Sequence, residues 1–285
     1  MRFNERRKRF RAVFAGDRCV FPGSVYDPIS ARIAEDLGFE IGMFAGSIAS
    51  MTVLGAPDLI VLTLSEFAAQ AKRIARASAI PLMVDADHGY GNALNVKRTV
   101  EELEMAGVAG LSIEDTALPQ PFGSGGATTL LSVEEGIGKM KAALAGRTDP
   151  DLTIAGRTSA LAVTGVEDAI ARVVAYEAVG VDAVFLVGAK TREQVDAVAE
   201  AVSVPIILGS VAPDIQDLDY LSARGVRLCL QGHQPFAAGV QAVYETLKAL
   251  REGTKPAELS GVAGAELMAR MTRDADYKAL IEETL

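Results

Sequence analysis

Residues 81–92 read PLMVDADHGYGN, an apolar run followed directly by small and polar residues. The apolar part, residues 81–84, is short and bounded by turn-forming residues, so it predicts a buried strand. Asp85, Asp87 and His88 follow the point where this strand ends. The same order of apolar run and polar junction returns along the chain, and this repetition predicts the fold.

The chain contains eight short apolar runs, most of them separated by a longer segment with helical spacing. They are residues 19–21, 41–45, 81–84, 110–113, 152–155, 183–187, 204–208 and 226–230. Strands that alternate with helices over 285 residues predict an α/β fold, a (β/α)8 TIM barrel with parallel strands. A doubly wound open sheet is the alternative.

The ends of the predicted helices support this architecture. Four glycines each end a helical pattern and lead directly into a strand, as a glycine just past a helix does. They are Gly38, Gly107, Gly180 and Gly225. The opposite junctions, from strand to helix, carry the polar residues, and in a barrel these junctions share the rim on which active sites are built.

We expect a single barrel domain, residues 1–285, with its core at about 17–252. Phe10 and Phe14 share one helical face and predict an extra N-terminal helix, with an Arg-rich transit peptide as the alternative. Residues 253–285 have helical spacing and predict a C-terminal helical tail. A short tail cannot bury its own apolar face, which indicates packing on a partner subunit.

The composition excludes several classes of protein. The chain is 49% hydrophobic and 23% charged with a net charge of −9, so it can form a core but offers no basic surface to nucleic acid or an anionic membrane. No apolar stretch approaches the roughly 20 residues of a membrane helix. The two cysteines, Cys19 and Cys229, are too few for a disulfide scaffold or a cysteine zinc site. We therefore expect a cytoplasmic protein with neither nucleic-acid nor membrane partners.

Carboxylates collect at the predicted rim. Side chains alternate along a strand, which predicts that Asp85 and Asp87 point to the same side. Glu114 closes the next strand, and Asp58 follows the second one. Several oxygen ligands at one place indicate Mg2+, or Mn2+, rather than zinc. The alternative is that Asp85 caps a turn and Glu114 lies on the surface.

Three further residues at this rim suggest chemistry. Arg157 ends the fifth strand after small residues, where it needs either an anionic substrate or an internal salt bridge. His233 follows the eighth strand and can donate a hydrogen bond or move a proton, with a helix cap as the alternative. We expect His88 to orient its loop, in which Gly89 and Gly91 allow a tight backbone turn.

These residues resemble the isocitrate lyase and phosphoenolpyruvate mutase superfamily over roughly residues 10–250. The similarity rests on Pro22–Asp27, Gly46 and Ser47, Asp85–Asn92, Ile113–Asp115, and Arg157 with Thr158. His88 and His233 resemble the oxaloacetate decarboxylase branch most closely. The resemblance implies a Mg2+-dependent barrel that binds α-keto or α-hydroxy carboxylates and assembles as a homotetramer with exchanged C-terminal helices.

The resemblance also implies roles for single residues. Asp85 would bind the metal directly, whereas three carboxylates would hold metal-bound waters. Those three are Asp58, Asp87 and Glu114. Ser47 would bind a substrate carboxylate, Arg157 would pair with the substrate, and His233 would contact its reacting end.

The chain departs from the lyases of this superfamily in the loop after Glu114. That loop reads PQPFGSGG at residues 119–126, without the Lys and Cys of the lyases. This departure argues against the cleavage reaction of the lyases, and the resemblance to the oxaloacetate decarboxylase branch then implies release of CO2 from C4 of oxaloacetate, giving pyruvate through a metal-stabilised enolate. The alternatives are a lyase or hydrolase for a substituted malate or phosphonate, and a keto-acid-binding protein without activity. Residues 117–129 form either a mobile lid or an ordinary surface loop.

Overall fold

The computed structural model describes residues 2–285 and has an α/β fold. Eight parallel strands form one sheet, in which the strand order follows the sequence. They are β1 (Gly23–Ser24), β2 (Gly42–Phe44), β3 (Leu82–Asp85), β4 (Gly110–Glu114), β5 (Thr153–Thr158), β6 (Ala183–Leu186), β7 (Ile206–Leu208) and β8 (Val226–Cys229). The predicted α/β class and parallel strands are confirmed.

The chain before β1 contacts the other end of the sheet. Val20 forms a parallel bridge with Leu228 of β8. The Val20 N–H donates to the Arg227 carbonyl at 3.0 Å, and the Cys229 N–H donates to the Val20 carbonyl at 3.1 Å. The chain from Val20 to Ser24 therefore pairs with β8 through Val20 and with β2 through β1.

The first strand is where the sequence prediction was wrong. Residues 19–21 were expected to form it, but only Val20 pairs there, and β1 itself lies two residues further along the chain. Pro22 separates the two pairings because it has no backbone N–H to donate. The other seven apolar runs each contain or overlap an observed strand.

Helices connect the strands and extend both ends of the chain. They are α1 (Arg2–Ala15), α2 (Pro28–Asp36), α3 (Gly46–Ala49), α4 (Leu64–Ala77), α5 (Ala93–Ala106), α6 (Val133–Gly146), α7 (Ala160–Val163), α8 (Val166–Val179), α9 (Arg192–Ala201), α10 (Leu218–Ala223), α11 (Gln234–Arg251), α12 (Ala265–Thr272) and α13 (Asp274–Thr284). A π-helical turn follows α3 at Ser50–Leu54, and a short 3-10 turn lies at Pro256–Glu258. Within residues 2–285, no helix combines the length and the apolar character that crossing a bilayer requires.

Local sequence explains where these helices begin and end. Asn92, the last residue of the opening stretch, accepts hydrogen bonds from the Leu94 and Asn95 N–H groups and caps α5. Gly107 ends the same helix with φ of 91°, a left-handed conformation that costs glycine little. Gly38 and Gly180 also have positive φ at helix ends, as the sequence predicted.

The inner core lies between the strands and α1. Phe10 and Phe14 of α1 are buried and stack with ring centroids 4.8 Å apart, against inward-facing strand residues such as Ala155 and Phe185. A Cβ on Gly110 would approach the Phe10 ring to 2.6 Å, so this close packing requires glycine. The predicted N-terminal helix is therefore present as part of the core.

The C-terminal helices pack only partly on their own chain. Met271 of α12 is buried, and its carbonyl accepts a hydrogen bond from Arg32 of α2 at 2.9 Å. Arg273 pairs with Asp36 at the end of α2. In contrast, α11 has no buried residue at all. The tail thus contacts its own α2, and whether it also packs on a partner stays a prediction.

Candidate active site

One cavity of about 680 Å3 lies at the carboxyl ends of the strands. Its lining includes all seven side chains to which the sequence analysis gave a role in binding or catalysis. They are Ser47, Asp58, Asp85, Asp87, Glu114, Arg157 and His233. The parallel fold brings them together because the carboxyl ends of the strands share one rim.

Strand ends position the central charged groups. Asp85 is the last residue of β3, and Glu114 is the last residue of β4. Arg157 of β5 pairs in register with Glu114, so these two side chains start from neighbouring positions. Ser47 lies in the first turn of α3, directly after β2. The three charged side chains are therefore held by strands of the sheet, and Ser47 is held by the short helix that follows β2.

Asp87 reaches the cavity for a different reason than predicted. Strand alternation was expected to align it with Asp85, but β3 ends at Asp85 and Asp87 has φ of 48°. The Asp87 N–H donates to Oδ1 of Asp85 at 3.3 Å, and the Asp87 carbonyl accepts from the Glu114 N–H at 2.9 Å. A left-handed turn, rather than an extended strand, therefore brings the two carboxylates together.

Gly46 is a residue whose importance the sequence analysis missed. A Cβ at this position would overlap both carboxylate oxygens of Asp87. Gly46 has no positive φ, so space for Asp87 rather than backbone conformation requires a glycine here. The sequence offered two signals for this residue, its place beside Ser47 after a predicted strand and its part in the resemblance to the superfamily.

Arg157 lies within the carboxylate cluster. Its Nη1 pairs with Oδ2 of Asp85, and its Nη2 lies 3.3 Å from Oε2 of Glu114. The guanidinium also lies 5.3 Å from the centroid of the Phe185 ring. The structure thus contains the internal salt bridge that was one of the two expectations for Arg157, and pairing with substrate stays a prediction.

The cavity carries more negative than positive charge. Burial and the neighbouring Asp85 and Glu114 raise the pKa of Asp87 well above its ordinary value. Burial raises the pKa of Glu114 although Arg157 opposes this shift. The pKa of Asp58 is also raised, first by desolvation and then by Asp85. Since Arg157 is the one Lys or Arg among the described lining residues, a cation or protons must balance the rest.

These carboxylates do not form a closed cage. Within residues 2–285, no three His, Cys, Asp or Glu side chains converge tightly enough to hold a metal by themselves. Mg2+ commonly keeps several waters and takes only one or two carboxylates directly. An oxygen-rich, negatively charged cavity of this kind fits Mg2+ better than it fits an ion that needs a full set of protein ligands.

His233 lies between two serine hydroxyls. Oγ of Ser24 is 3.0 Å from Nδ1, and Oγ of Ser47 is 3.4 Å from Nε2. Burial lowers the pKa of His233, although Asp85 and Asp58 partly offset this effect. His233 occupies the N-cap position of α11, but its side chain makes no capping hydrogen bond, so the structure gives no support to the alternative that the imidazole caps this helix. Ser24 was not among the predicted site residues.

His88 lies beside the cavity and is almost completely buried. Burial lowers the pKa of its imidazole to about 4. Nζ of Lys139 donates to the His88 carbonyl at 2.7 Å, and Oγ1 of Thr99 donates to the Gly89 carbonyl at 3.0 Å. Gly89 and Gly91 have φ of 76° and 149°, which confirms the tight loop. The loop is thus fixed by α5 and α6, and an orienting role for His88 stays a prediction.

The loop after β4 borders the same cavity. Thr116 and Leu130 form an antiparallel bridge at its base, and the Ala117 N–H donates to the Thr129 carbonyl at 2.9 Å. Phe122, at the far end, is fully exposed. The loop has a paired base and an exposed tip, and its action as a lid stays a prediction.

This fold and site define a class, the α/β enzymes that carry their site at the carboxyl ends of eight parallel strands. A family model described as phosphoenolpyruvate phosphomutase matches residues 10–251. The chain therefore belongs to the phosphoenolpyruvate phosphomutase family, and the superfamily expected from the sequence is confirmed.

Known proteins resemble the chain over nearly its full length. It is 58% identical over 279 residues to a protein of Bradyrhizobium diazoefficiens named oxaloacetate decarboxylase, covering 98% of this chain and 96% of that protein. The crystal structure of oxaloacetate acetylhydrolase is similar, with a TM-score of 0.86, 28% identity and 98% of each chain covered. A phosphonopyruvate hydrolase solved with oxalate and Mg2+ has a TM-score of 0.85 and 27% identity, and covers 98% of this chain and 99% of that one.

Proposed function

We propose that this protein is a Mg2+-dependent oxaloacetate decarboxylase that releases CO2 from C4 of oxaloacetate to give pyruvate. The observation that carries the proposal is the set of four carboxylates around Arg157 in one cavity at the strand ends. The 58% identity to a protein named oxaloacetate decarboxylase supports this substrate and reaction. A cavity of about 680 Å3 is large enough for a small dicarboxylic acid.

The charge of the cavity supports a bound Mg2+, with Mn2+ as the alternative. Four carboxylates beside a single guanidinium repel a dianionic substrate, and a bound divalent cation removes this repulsion. We propose that Asp85 binds the metal directly and that three carboxylates hold its waters. These three are Asp58, Asp87 and Glu114. Such an ion supplies a Lewis acid that polarises a keto acid and stabilises developing negative charge.

The residues of this chain would bind and orient the substrate. Arg157 and the hydroxyl of Ser47 would hold the keto-acid end, because both line the cavity beside Asp85. The C3–C4 bond then breaks, CO2 leaves, and the electron pair passes toward the C2 keto oxygen. His233 would donate a hydrogen bond to the reacting end or deliver the proton that C3 takes up.

A direct assay tests the proposal. Purified protein is mixed with oxaloacetate and Mg2+, pyruvate is followed with a coupled dehydrogenase, and the rate with metal alone is subtracted. We expect pyruvate formation that EDTA abolishes and that Asp85→Ala abolishes while the protein still folds. Asp219→Ala, at an exposed position on α10, is the matched control and should retain activity. An active Asp85→Ala protein would refute the metal assignment.

Product analysis, repeated with other acids as substrates and with a measurement of oxalate binding, separates the alternatives. Formation of oxalate and acetate would indicate hydrolysis, the reaction in the name of the structurally similar acetylhydrolase. Turnover of a substituted malate or a phosphonate would indicate another reaction on this scaffold. Tight oxalate binding with no turnover of any of these acids would indicate a keto-acid-binding protein without activity.

We also propose that residues 1–285 form one domain whose sheet closes as a (β/α)8 barrel, supported by the bridge between Val20 and Leu228. A homotetramer with exchanged C-terminal helices is proposed on two further observations. In the tail, residues 253–285, apolar side chains such as Leu267, Leu280 and Ile281 are exposed, and the preceding helix α11 buries none of its residues. A groove of about 630 Å3 borders α2, and its lining includes Ile33, Leu37 and Phe39. The exposed face of a partner's α11 would fit this apolar groove.

A further inference from the structure

His233 separates two different environments. Its Nε2 faces Ser47, which lines the acidic cavity together with Asp58 and Asp85. Its Nδ1 faces Ser24, which lines the separate groove beside α2. The two nitrogens of the imidazole therefore have distinct neighbours, and the structure gives a reason to decide which of them carries the proton.

A neutral imidazole has one N–H donor and one acceptor nitrogen. The carboxylates of Asp58 and Asp85 lie on the cavity side, so their negative charge favours an N–H dipole that points into the cavity. That orientation places the proton on Nε2. Nδ1 is then the acceptor, and the group 3.0 Å from it, the hydroxyl of Ser24, must donate.

Ser24 is well placed to act as a fixed donor. It lies in β1, whose two residues pair with Gly42 and Met43 of β2. The flanking residues are also hydrogen-bonded, since the Gly23 N–H donates to the Ile41 carbonyl and the Val25 N–H donates to the Met43 carbonyl, each at 2.9 Å. The backbone under Ser24 therefore cannot shift easily, and the position of its hydroxyl is set by the sheet.

We propose that Ser24 is a positioning residue, whose hydroxyl donates to Nδ1 of His233 and holds the imidazole as the Nε2–H tautomer that donates into the cavity. The catalytic consequence rests on the proposed decarboxylase function, whereas the tautomer does not. Without the Ser24 hydroxyl, Nδ1 loses the donor that favours its unprotonated state, so the other tautomer, which presents no donor to the substrate, becomes more populated.

A spectroscopic test does not require turnover. The chain has two histidines, so 15N-histidine labelling gives two imidazoles, which a His233→Ala variant assigns. In the full-length protein, in EDTA and again with Mg2+ added, we expect 15N spectra to show Nε2 of His233 protonated and Nδ1 unprotonated. Ser24→Ala should mix the tautomers, and Ser24→Thr should restore the original pattern. Protonated Nδ1 in the wild type, or an unchanged pattern in Ser24→Ala, would overturn the proposal.

Kinetics test the catalytic consequence. Ser24→Ala should lower kcat roughly tenfold, the effect of one ordinary hydrogen bond, with little change in KM. Ser24→Thr and the exposed control Ser65→Ala should remain near wild-type rates. In a His233→Ala background, Ser24→Ala should cause no further loss, because Ser24 acts through His233. A further loss of kcat when Ser24→Ala is added to His233→Ala would contradict a role of Ser24 through His233.

The two kinds of failure are distinguishable. If no decarboxylation occurs but Ser24→Ala changes the tautomer, the proposed function fails and the role of Ser24 in positioning His233 stands. If decarboxylation occurs and Ser24→Ala leaves the tautomer unchanged, the proposed function stands and the role of Ser24 in positioning His233 fails.

Discussion

Asp87 is held beside Asp85 and Glu114 by a left-handed turn, although all three carboxylates repel one another. The raised pKa of Asp87 means that its ionised form at neutral pH costs folding free energy when no cation is bound. The same repulsion strengthens binding of a divalent cation. A substitution that removes the charge of Asp87 should therefore raise the stability of the metal-free protein and lower its affinity for the metal.

Asp87→Asn tests this opposition. Asn tolerates positive φ, so the turn is kept while one charge is removed. With EDTA present, we expect urea unfolding to show the variant more stable than the wild type by about 1–2 kcal/mol. Added Mg2+ should stabilise the variant less than it stabilises the wild type. The idea fails if the variant is the less stable protein in EDTA.

Gly46 allows a second test at the same carboxylate. In Gly46→Ala the new methyl group would overlap the Asp87 carboxylate and displace it. We expect Mg2+ affinity, measured by calorimetry, to fall about tenfold or more, because a supporting ligand group is moved. Gly138→Ala on α6 is the matched control, since nothing lies within 4 Å of a Cβ there. Equal affinities of Gly46→Ala and the wild type would contradict the proposed role of Asp87.

Among the elements, the position of α1 depends on hydrogen bonds that one of its side chains makes with residues distant in the sequence. Arg7 is buried and donates to Asp149 at 2.6 Å, to the Glu104 carbonyl at 2.6 Å and to the Val108 carbonyl at 3.0 Å. These bonds fasten the helix whose Phe10 packs between the strands. Loss of the Arg7 pair should therefore weaken the fold as a whole and not only its first helix.

Asp149→Asn should lower the free energy of unfolding at pH 7 by about 1–2 kcal/mol, because it leaves the buried Arg7 without its counter-charge. Burial alone would raise the pKa of Asp149, but hydrogen bonds from Arg7 and Asp151 lower it overall. A carboxylate with a lowered pKa stabilises above its unfolded pKa of about 4, and this effect is lost as the pH falls further. Urea unfolding between pH 7 and pH 3 should thus show the difference between variant and wild type shrinking. A difference that stays constant over this range would exclude the ion pair as its cause.

At the scale of the whole molecule, the exposed apolar side chains of α11 are the basis for expecting an assembly of several copies of this chain. Val243, Tyr244 and Leu247 are each about 60% exposed on this helix. A continuous apolar face of this kind is typical of a surface that another protein chain covers. The groove bordered by Ile33 and Leu37 offers a surface of matching character on a second copy.

Leu247→Glu should therefore reduce the mass measured by size-exclusion chromatography with light scattering, because it places a charge in the proposed interface. Leu94→Glu is the matched control, since Leu94 is exposed on α5, away from α11. The control should keep the wild-type mass. An unchanged mass for Leu247→Glu would refute the assignment of α11 to an interface.

The sequence by itself determined the order of the elements and, apart from the first strand, the positions of the strands. Short apolar runs marked the strands, and polar residues marked the strand ends, because strand burial and helix capping depend on neighbours in the sequence. Asn92 and Gly107 show this most directly, since one caps the start of α5 and the other ends it. The same rule placed Asp85 and Glu114 at one rim, since parallel strands all end on the same side.

The tertiary structure alone decided which side chains meet. The contact between Ser24 and His233 joins residues 209 positions apart, and no local pattern specifies it. Whether Arg157 pairs with Asp85 depends on the spacing of β3, β4 and β5, and the need for Gly46 depends on where the turn places Asp87. Periodicity reports the burial of each residue, whereas these contacts follow from sheet register and loop conformation, which are fixed only when distant elements pack together.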